Sequence, residues 1–283
     1  MAENPVKPDI EGTLEIDGVH IHYEYFGEKI KPTIILMNGV AMETRSWYLF
    51  LPLLVDQTDV LLWDYRGQGQ STSDDADYDI GAHAGYLRKI IETVGLKPEK
   101  TNLLGISSGS IFGAEFLRQH SHLANRAVLS GALLTPEKPF IKGCDLGIKM
   151  LREGQLDYWI DSLYSSLFSD GFLEVIEPHI PKMKIALKER YSSRVLALSR
   201  IIEAQKNYLL GMKERCAGYK KIMTPTLLLA GEHDILTPPF VQKKLLDMFG
   251  TPLQYLEMPQ AGHMLAMERS KDFFGKAVEF VLG

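Results

Sequence analysis

The sequence has few cysteines: Cys144 and Cys216 are the two among 283 residues. Two cysteines so far apart do not form the spaced sets typical of a disulfide framework or of a thiolate metal site. We therefore expect two unpaired thiols in a reducing compartment, and a cytoplasmic location. The sequence also lacks an apolar run long enough to span a bilayer. Its first residues lack the apolar core of a secretory leader, so we expect none.

The chain also has no large excess of positive or negative charge. The formal net charge is −5, and the Lys and Arg residues are scattered rather than clustered. Nucleic-acid binding usually requires a basic patch, so we expect no nucleic-acid partner. No loop carries carboxylates at metal-ligand spacing, so we expect no metal and no cofactor. The remaining expectation is a small-molecule substrate, and the sequence leaves the oligomeric state open.

Two kinds of strand pattern are present. Thr13–Asp17 and Val19–Tyr25 alternate apolar and polar residues around Gly18, which is typical of an antiparallel hairpin. The later strands are short unbroken apolar runs, as in strands buried on both faces of a parallel sheet. These runs are Thr33–Met37, Val60–Trp63, Thr101–Leu104, Ala127–Leu129, Pro225–Ala230 and Leu253–Leu256. Helical patterns separate many of them, at Ala82–Val94, Ser110–Gln119 and Phe240–Met248, and Lys271–Val281 follows the last. This alternation predicts an α/β fold with a mostly parallel, eight-stranded sheet flanked by helices.

One stretch of the chain breaks this alternation. Between two core strands the pattern is mostly helical, over Leu146–Glu153, Gln155–Leu167, Phe172–Ile176, Lys182–Ile201 and Gln205–Lys213. We predict that residues 134–221 form a helical cap inserted into a core made of residues 1–133 and 222–283.

The most specific motif is Gly105-Ile106-Ser107-Ser108-Gly109. It follows a buried strand directly and precedes a helix, which is the context of a nucleophile elbow. The flanking glycines leave room for a sharp turn because they carry no Cβ. A serine that caps a helix beside incidental glycines is the structural alternative. We interpret Ser107 as a nucleophile.

A serine hydroxyl needs a base to take its proton. The chain has eight histidines, and His263 lies in the loop beyond the last core strand, after Leu253–Leu256. A histidine is more often structural than catalytic, but this position favours the predicted role of base.

The base in turn needs a carboxylate to orient its ring and to stabilise its charged form. Asp234 and Glu232 both follow the apolar strand Thr226–Ala230. We favour Asp234 because it lies further out along the loop, and Glu232 remains the alternative.

The reaction also needs hydrogen-bond donors for the oxyanion. We predict one at the backbone N–H of Ser108, the residue after the nucleophile. The loop after Thr33–Met37 reads Asn38-Gly39-Val40, and we predict the second donor at the Val40 N–H. An Asn-Gly turn without a catalytic role is the alternative.

These motifs, with Asp64-Tyr65-Arg66-Gly67-Gln68-Gly69-Gln70-Ser71, resemble the α/β-hydrolase superfamily over residues 12–282. The resemblance implies that Ser107, Asp234 and His263 form the triad in the superfamily's chain order. It also implies that the segment 64–71 is structural rather than catalytic. It identifies the superfamily far better than the substrate.

Two positions depart from many members of that superfamily. Asn38-Gly39 stands where many have His-Gly, and it resembles 3-oxoadipate enol-lactonases and the rhamnolipid acyltransferase. Ser110 stands where many have a second glycine after the elbow. A serine at position 107 argues against dehalogenases and epoxide hydrolases, which use an aspartate there.

Candidate substrate-binding residues lie beside the catalytic loops and in the cap. Met42, Trp47 and Met264 flank those loops, so we predict them as pocket walls, together with Asn38 and Trp159. Aromatic residues at helical spacing in the cap are more often packing than pocket. A pocket rich in Met and aromatic side chains favours an apolar, uncharged substrate.

The sequence therefore predicts a serine hydrolase that cleaves a carboxylic ester of a small to medium apolar substrate. A lactonase or acyltransferase, and a carbon–carbon bond hydrolase, would use the same triad. A ligand receptor on this fold, or a protein with a relict site, belongs to a different class, and turnover would distinguish them.

Overall fold

The computed structural model describes residues 7–74 and 76–283; residues 1–6 and 75 of the predicted core lie outside them. It contains an eight-stranded sheet in the order β1-β2-β4-β3-β5-β6-β7-β8. The strands are β1 Ile10–Ile16, β2 Val19–Phe26, β3 Thr33–Met37, β4 Asp59–Trp63, β5 Thr101–Ile106, β6 Arg126–Ser130, β7 Thr226–Gly231 and β8 Gln254–Met258.

The sheet is antiparallel at one edge and parallel elsewhere. β1 pairs antiparallel with β2, and β2 pairs antiparallel with β4. All the remaining pairs are parallel. β1 alternates between half-buried and exposed residues, whereas β3, β4, β5 and β7 are buried throughout. The predicted α/β-hydrolase architecture is confirmed.

Helices cover both faces of the sheet. Successive residues of a strand point to opposite faces, and β3 follows this rule. Ile35 and Met37 pack with helices α1 (Ile80–Val94) and α2 (Ser108–His120), while Ile34 and Leu36 pack with the C-terminal helix. The remaining core helices are α9 Pro239–Gln242, α10 Leu265–Glu268 and α11 Ser270–Leu282.

Six helices lie between β6 and β7, and we call residues 134–221 the cap. They are α3 Lys138–Arg152, α4 Leu156–Leu167, α5 Asp170–Ile176, α6 Ile180–Tyr191, α7 Val195–Leu210 and α8 Met212–Tyr219. Buried side chains from α3, α4 and α7 form a hydrophobic cluster that Ala41 of the core joins. The cap therefore packs directly on the loop after β3.

Two predicted helices differ from the structure. The helix predicted over Lys182–Ile201 is divided at residues 192–194 into α6 and α7. Two serines stand at this break, and their short polar side chains compete with helical backbone hydrogen bonds. The helix predicted over Phe240–Met248 is α-helical only to Gln242 and continues as a tighter 3-10 turn over Lys243–Asp247. Such turns are common at helix ends.

Both cysteines are free: Cys144 is buried in the cap and Cys216 is exposed. Among the described residues, no helix has both the length and the apolar character needed to cross a bilayer.

Candidate active site

Ser107 occupies the sharp turn between β5 and α2. Its backbone lies in the left-handed half of conformational space, at φ 53° and ψ −122°, a region that non-glycine residues rarely adopt. A Cβ on Gly109 would lie 2.0 Å from the carbonyl oxygen of Met37, so only glycine fits there. The N–H of Ser107 donates to the Ser130 carbonyl at 2.8 Å. Ser107 keeps partial exposure, and this geometry presents it at the carboxyl edge of the parallel strands.

His263 and Asp234 contact each other in a buried position. The His263 Nδ1 donates to Asp234 Oδ2 at 2.9 Å, and both side chains are buried. The ring lies against Gly131, where an added Cβ would stand 2.7 Å from the His263 Cε1. Gly131 follows Ser130, whose carbonyl holds the Ser107 N–H, so the ring lies beside the elbow. The His263 Nε2 is buried and bonds no atom of the described residues.

Four further hydrogen bonds hold the Asp234 carboxylate. Its Oδ1 accepts from the N–H groups of Leu236 and Thr237 at 3.0 and 2.8 Å. Its Oδ2 accepts from Thr237 Oγ1 at 2.8 Å and from Gln242 Nε2 at 3.1 Å. Neither Thr237 nor Gln242 was identified from the sequence. Thr237 had a local signal, because Asp side chains commonly bond backbone groups two or three residues ahead.

The structure places Glu232 away from His263. Glu232 is exposed, and its Oε2 accepts from the Gln260 N–H at 2.9 Å. Its ionic neighbour is the ring of His233, 3.8 Å away. Of the two carboxylates considered from the sequence, Asp234 is the one that reaches the predicted base.

The loop after β3 passes directly against Ser107, the predicted nucleophile. A Cβ on Gly39 would lie 3.7 Å from the Ser107 Cβ. The Gly39 carbonyl accepts from the buried Gln68 Nε2 at 3.1 Å. In a trans peptide the N–H points opposite to the carbonyl. Gln68 and the Met42 N–H, which donates to the same carbonyl at 3.3 Å, therefore fix the direction of the Val40 N–H, the predicted oxyanion donor. Gln68 was not identified from the sequence.

The segment 64–71 supports the loop after β3. Asp64 is buried, and its carboxylate accepts from the N–H groups of Thr44 and Gln70, each at 2.8 Å. Its backbone carbonyl accepts from Ser71 Oγ at 2.7 Å. Burial raises the pKa of Asp64 above its ordinary value despite these two N–H donors. The contacts are those of a structural support, as the resemblance implies.

Ser108, the second predicted oxyanion residue, is attached to the cap. Its buried hydroxyl donates to the Oε1 of Gln205 in α7. The partner lies 97 residues further along the chain, and no local pattern identifies it. The cap therefore contacts the residue that follows Ser107.

The five predicted substrate-binding residues divide into two groups. Asn38 and Trp47 are fully buried: the Asn38 Nδ2 donates to the Trp63 carbonyl at 2.9 Å, and the Trp47 Nε1 donates to Asn38 Oδ1 at 2.6 Å. This pair supports the loop after β3 instead of facing a ligand, which corrects the expectation. Trp159 is likewise buried within the cap cluster. Met42 and Met264 are partly exposed, pack against the buried side chains on the α11 side of the sheet, and remain candidates.

One group of three side chains has metal-ligand chemistry in the described part of the chain. Ligand atoms of Glu11, His22 and Glu24 lie within 4.8 Å of one another. The His22 Nε2 bonds Glu24 at 3.0 Å, and Glu24 also accepts from the Tyr48 hydroxyl at 2.9 Å. His22 and Glu24 therefore have other bonding partners and Glu11 is exposed, so the group carries no metal proposal.

Comparison with known proteins agrees with this fold. A family model described as the alpha/beta hydrolase fold matches residues 32–171. The 2-hydroxy-6-oxo-6-(2'-aminophenyl)hexa-2,4-dienoic acid hydrolase of Metapseudomonas resinovorans is 25% identical over 281 residues, covering 96% of this chain and 91% of that protein.

Two solved structures have the same architecture. MGS-M2, an alpha/beta hydrolase from a Medee basin deep-sea metagenome library, has a TM-score of 0.86 at 23% identity, covering 96% of this chain and 97% of its own. The enol-lactonase of Burkholderia xenovorans LB400 has a TM-score of 0.81 at 20% identity, covering 96% and 100%. The family model and these two structures agree that the chain has the α/β-hydrolase fold.

Proposed function

We propose that the protein is a carboxylic ester hydrolase that acts on a small to medium apolar substrate through an acyl-enzyme on Ser107. The observation that carries the proposal is the buried pair of His263 and Asp234. Asp234 holds the Nδ1 at 2.9 Å, and the Nε2 stays unpartnered beside the Ser107 turn. An imidazole with one nitrogen fixed and the other available is what a general base requires.

In the first step the Ser107 Oγ attacks the carbonyl carbon of the ester. The His263 Nε2 takes the hydroxyl proton, and Asp234 stabilises the resulting imidazolium. The carbonyl oxygen becomes an oxyanion that the N–H groups of Val40 and Ser108 bind. Each such donor typically contributes about 3 kcal/mol to transition-state stabilisation.

In the second step the bond to the leaving alkoxide breaks. His263 returns its proton to that oxygen, the alcohol leaves, and the acyl group remains on Ser107. Water then attacks the acyl carbon while His263 takes one of its protons. Transfer of that proton to Ser107 releases the carboxylic acid and restores the enzyme.

The surroundings of the loops support an apolar substrate. Met42 and Met264 are partly exposed and border the Val40 and His263 loops. Val40 packs against the cap cluster. We propose these three residues as apolar walls, because thioether and aliphatic side chains accommodate acyl chains by dispersion contacts.

A lactonase is the second candidate. Asn38-Gly39 resembles the corresponding loop of enol-lactonases, and a lactone is a cyclic ester open to the same two steps. Because Asn38 lies beneath the loop, the resemblance concerns loop support, and substrate choice must come from other residues. A lactone series assayed beside open-chain esters would discriminate between the two.

The direct test is a kinetic series with p-nitrophenyl esters of increasing acyl length. Wild type should show a burst and turnover, and Ser107→Ala should lose roughly 10⁴-fold or more in kcat. The exposed Ser165→Ala is the matched control and should keep the wild-type rate. If no ester turns over and a fluorophosphonate does not label Ser107, the hydrolase proposal fails and a ligand receptor takes its place.

A further inference from the structure

The loop that carries His263 is bonded on both sides of that residue. The Gly262 N–H donates to Glu268 Oε2 at 3.0 Å. The Met264 N–H donates to the carbonyl of Leu167, at the end of cap helix α4, also at 3.0 Å. The two residues that flank the predicted base are therefore each held by a specific hydrogen bond.

The Glu268 carboxylate joins this loop to the cap. Its Oε1 accepts from the Ser169 N–H at 3.1 Å, and its Oε2 accepts from the Ser169 hydroxyl at 2.5 Å. Ser169 is buried and lies 99 residues away in sequence, between α4 and α5. We call Leu167, Ser169 and Glu268 the clasp.

The cap backbone rests directly on the residue before His263. A Cβ on Gly262 would lie 2.6 Å from the Ser169 N and 2.8 Å from the carbonyl carbon of Phe168. It would also lie 2.7 Å from Glu268 Oε1. Only glycine permits this approach. The clasp therefore restricts the movement of the His263 loop as long as residues 167–169 pack against it.

We propose that Glu268 is a positioning residue: it makes the direction of the His263 Nε2 depend on how cap residues 167–169 pack against the loop that carries His263. This rests on the proposed function. Asp234 fixes the opposite nitrogen of the ring, but the position of the ring also depends on the backbone at residues 262–264. A displacement of about 1 Å at a catalytic group can reduce the rate roughly 100-fold. The cap thus helps to position the base.

A purely structural carboxylate would have a different signature. If Glu268 merely stabilised the cap, its loss would lower the melting temperature and leave the ring of His263 unchanged. If it only shaped the pocket, its loss would raise KM at constant kcat. Positioning of the base predicts a fall in kcat together with a change in the His263–Asp234 hydrogen bond.

The experiment uses Glu268→Gln, Ser169→Ala and the double variant in the full-length protein. Each single variant should lose roughly 10- to 100-fold in kcat at near-constant KM. The double variant should be no slower than the slower single, because both act through one contact. The low-field proton resonance of the His263–Asp234 hydrogen bond should shift or broaden in both singles. Glu203→Gln, which breaks an Arg152 contact within the cap, should change neither.

Wild-type kcat and a wild-type resonance in Glu268→Gln would overturn the proposal. So would a rise in KM alone. If Glu268→Gln does not fold, Ser169→Ala decides, because it removes only the hydroxyl bond. Failure of the proposed function is separate: it would appear as full activity in Ser107→Ala, whereas the resonance reports on the clasp in the resting protein.

Discussion

At the scale of single residues, Asp234 and Glu232 differ in the groups that contact their carboxylates. In Asp234→Asn the N–H groups of Leu236 and Thr237 should hold the amide oxygen at the Oδ1 position. The NH2 would then face the His263 Nδ1 and the negative charge would be lost, so kcat should fall by about 10⁴-fold. Glu232→Gln removes a carboxylate of the same loop whose contacts are Gln260 and His233, so kcat should stay within about twofold. The measurement is steady-state kinetics on one ester. A large loss in Glu232→Gln would contradict the assignment.

Gln68 provides a second test at this scale. Gln68→Leu removes one of the two donors to the Gly39 carbonyl and leaves the Met42 N–H at 3.3 Å, so the Val40 peptide should be held less firmly. Loss of one oxyanion donor costs roughly 10²- to 10³-fold in kcat, and this indirect loss should approach the lower value. Binding of a trifluoromethyl ketone, which mimics the tetrahedral state, should weaken in parallel, whereas the exposed Gln254→Leu should change neither. Unchanged kcat in Gln68→Leu would show that the loop holds its peptide without this amide.

At the scale of secondary structure elements, the elbow depends on glycine at position 109. Gly109→Ala in α2 would place a Cβ against the backbone of β3, and such a contact cannot relax by a side-chain rotation. We expect a loss of about 3 kcal/mol or more in the free energy of unfolding by urea. Gly143→Ala, in open space on α3, should gain about 0.5–1 kcal/mol. Equal stability of the two variants would contradict the packing argument.

Most elements follow from local patterns in the sequence. Period-two alternation located the β1–β2 hairpin, and unbroken apolar runs located the buried parallel strands. The division between α6 and α7 was missed because apolar residues continue at helical spacing on both sides of the two serines. The motif at Ser107 was visible because its turn requires glycines at fixed positions. Gln205 and Ser169 were not, because their contacts join residues 97 and 99 apart.

At the scale of the whole molecule, His83 predicts acid sensitivity of folding. Burial lowers its pKa to about 4, and its ring lies among Trp63, Tyr65 and Phe112. Between pH 6.5 and about 4, His83 binds a proton in the unfolded chain but stays neutral in the folded chain. The stability that is present above pH 6.5 is therefore lost as the pH falls towards 4. His83→Phe should flatten urea-unfolding stability between pH 6.5 and 4, whereas the exposed His20→Phe should follow wild type. An unchanged slope in His83→Phe would refute this.

The proposed function depends on a covalent acyl-enzyme at Ser107. The most direct measurement is intact-protein and peptide mass spectrometry after rapid acid quenching of the protein with p-nitrophenyl butyrate. The proposed function predicts the added mass of one butyryl group on the peptide that contains Ser107. This adduct should form with the burst and should be absent in Ser107→Ala. Release of p-nitrophenol without that adduct, or the same adduct rate in Ser107→Ala, would contradict it.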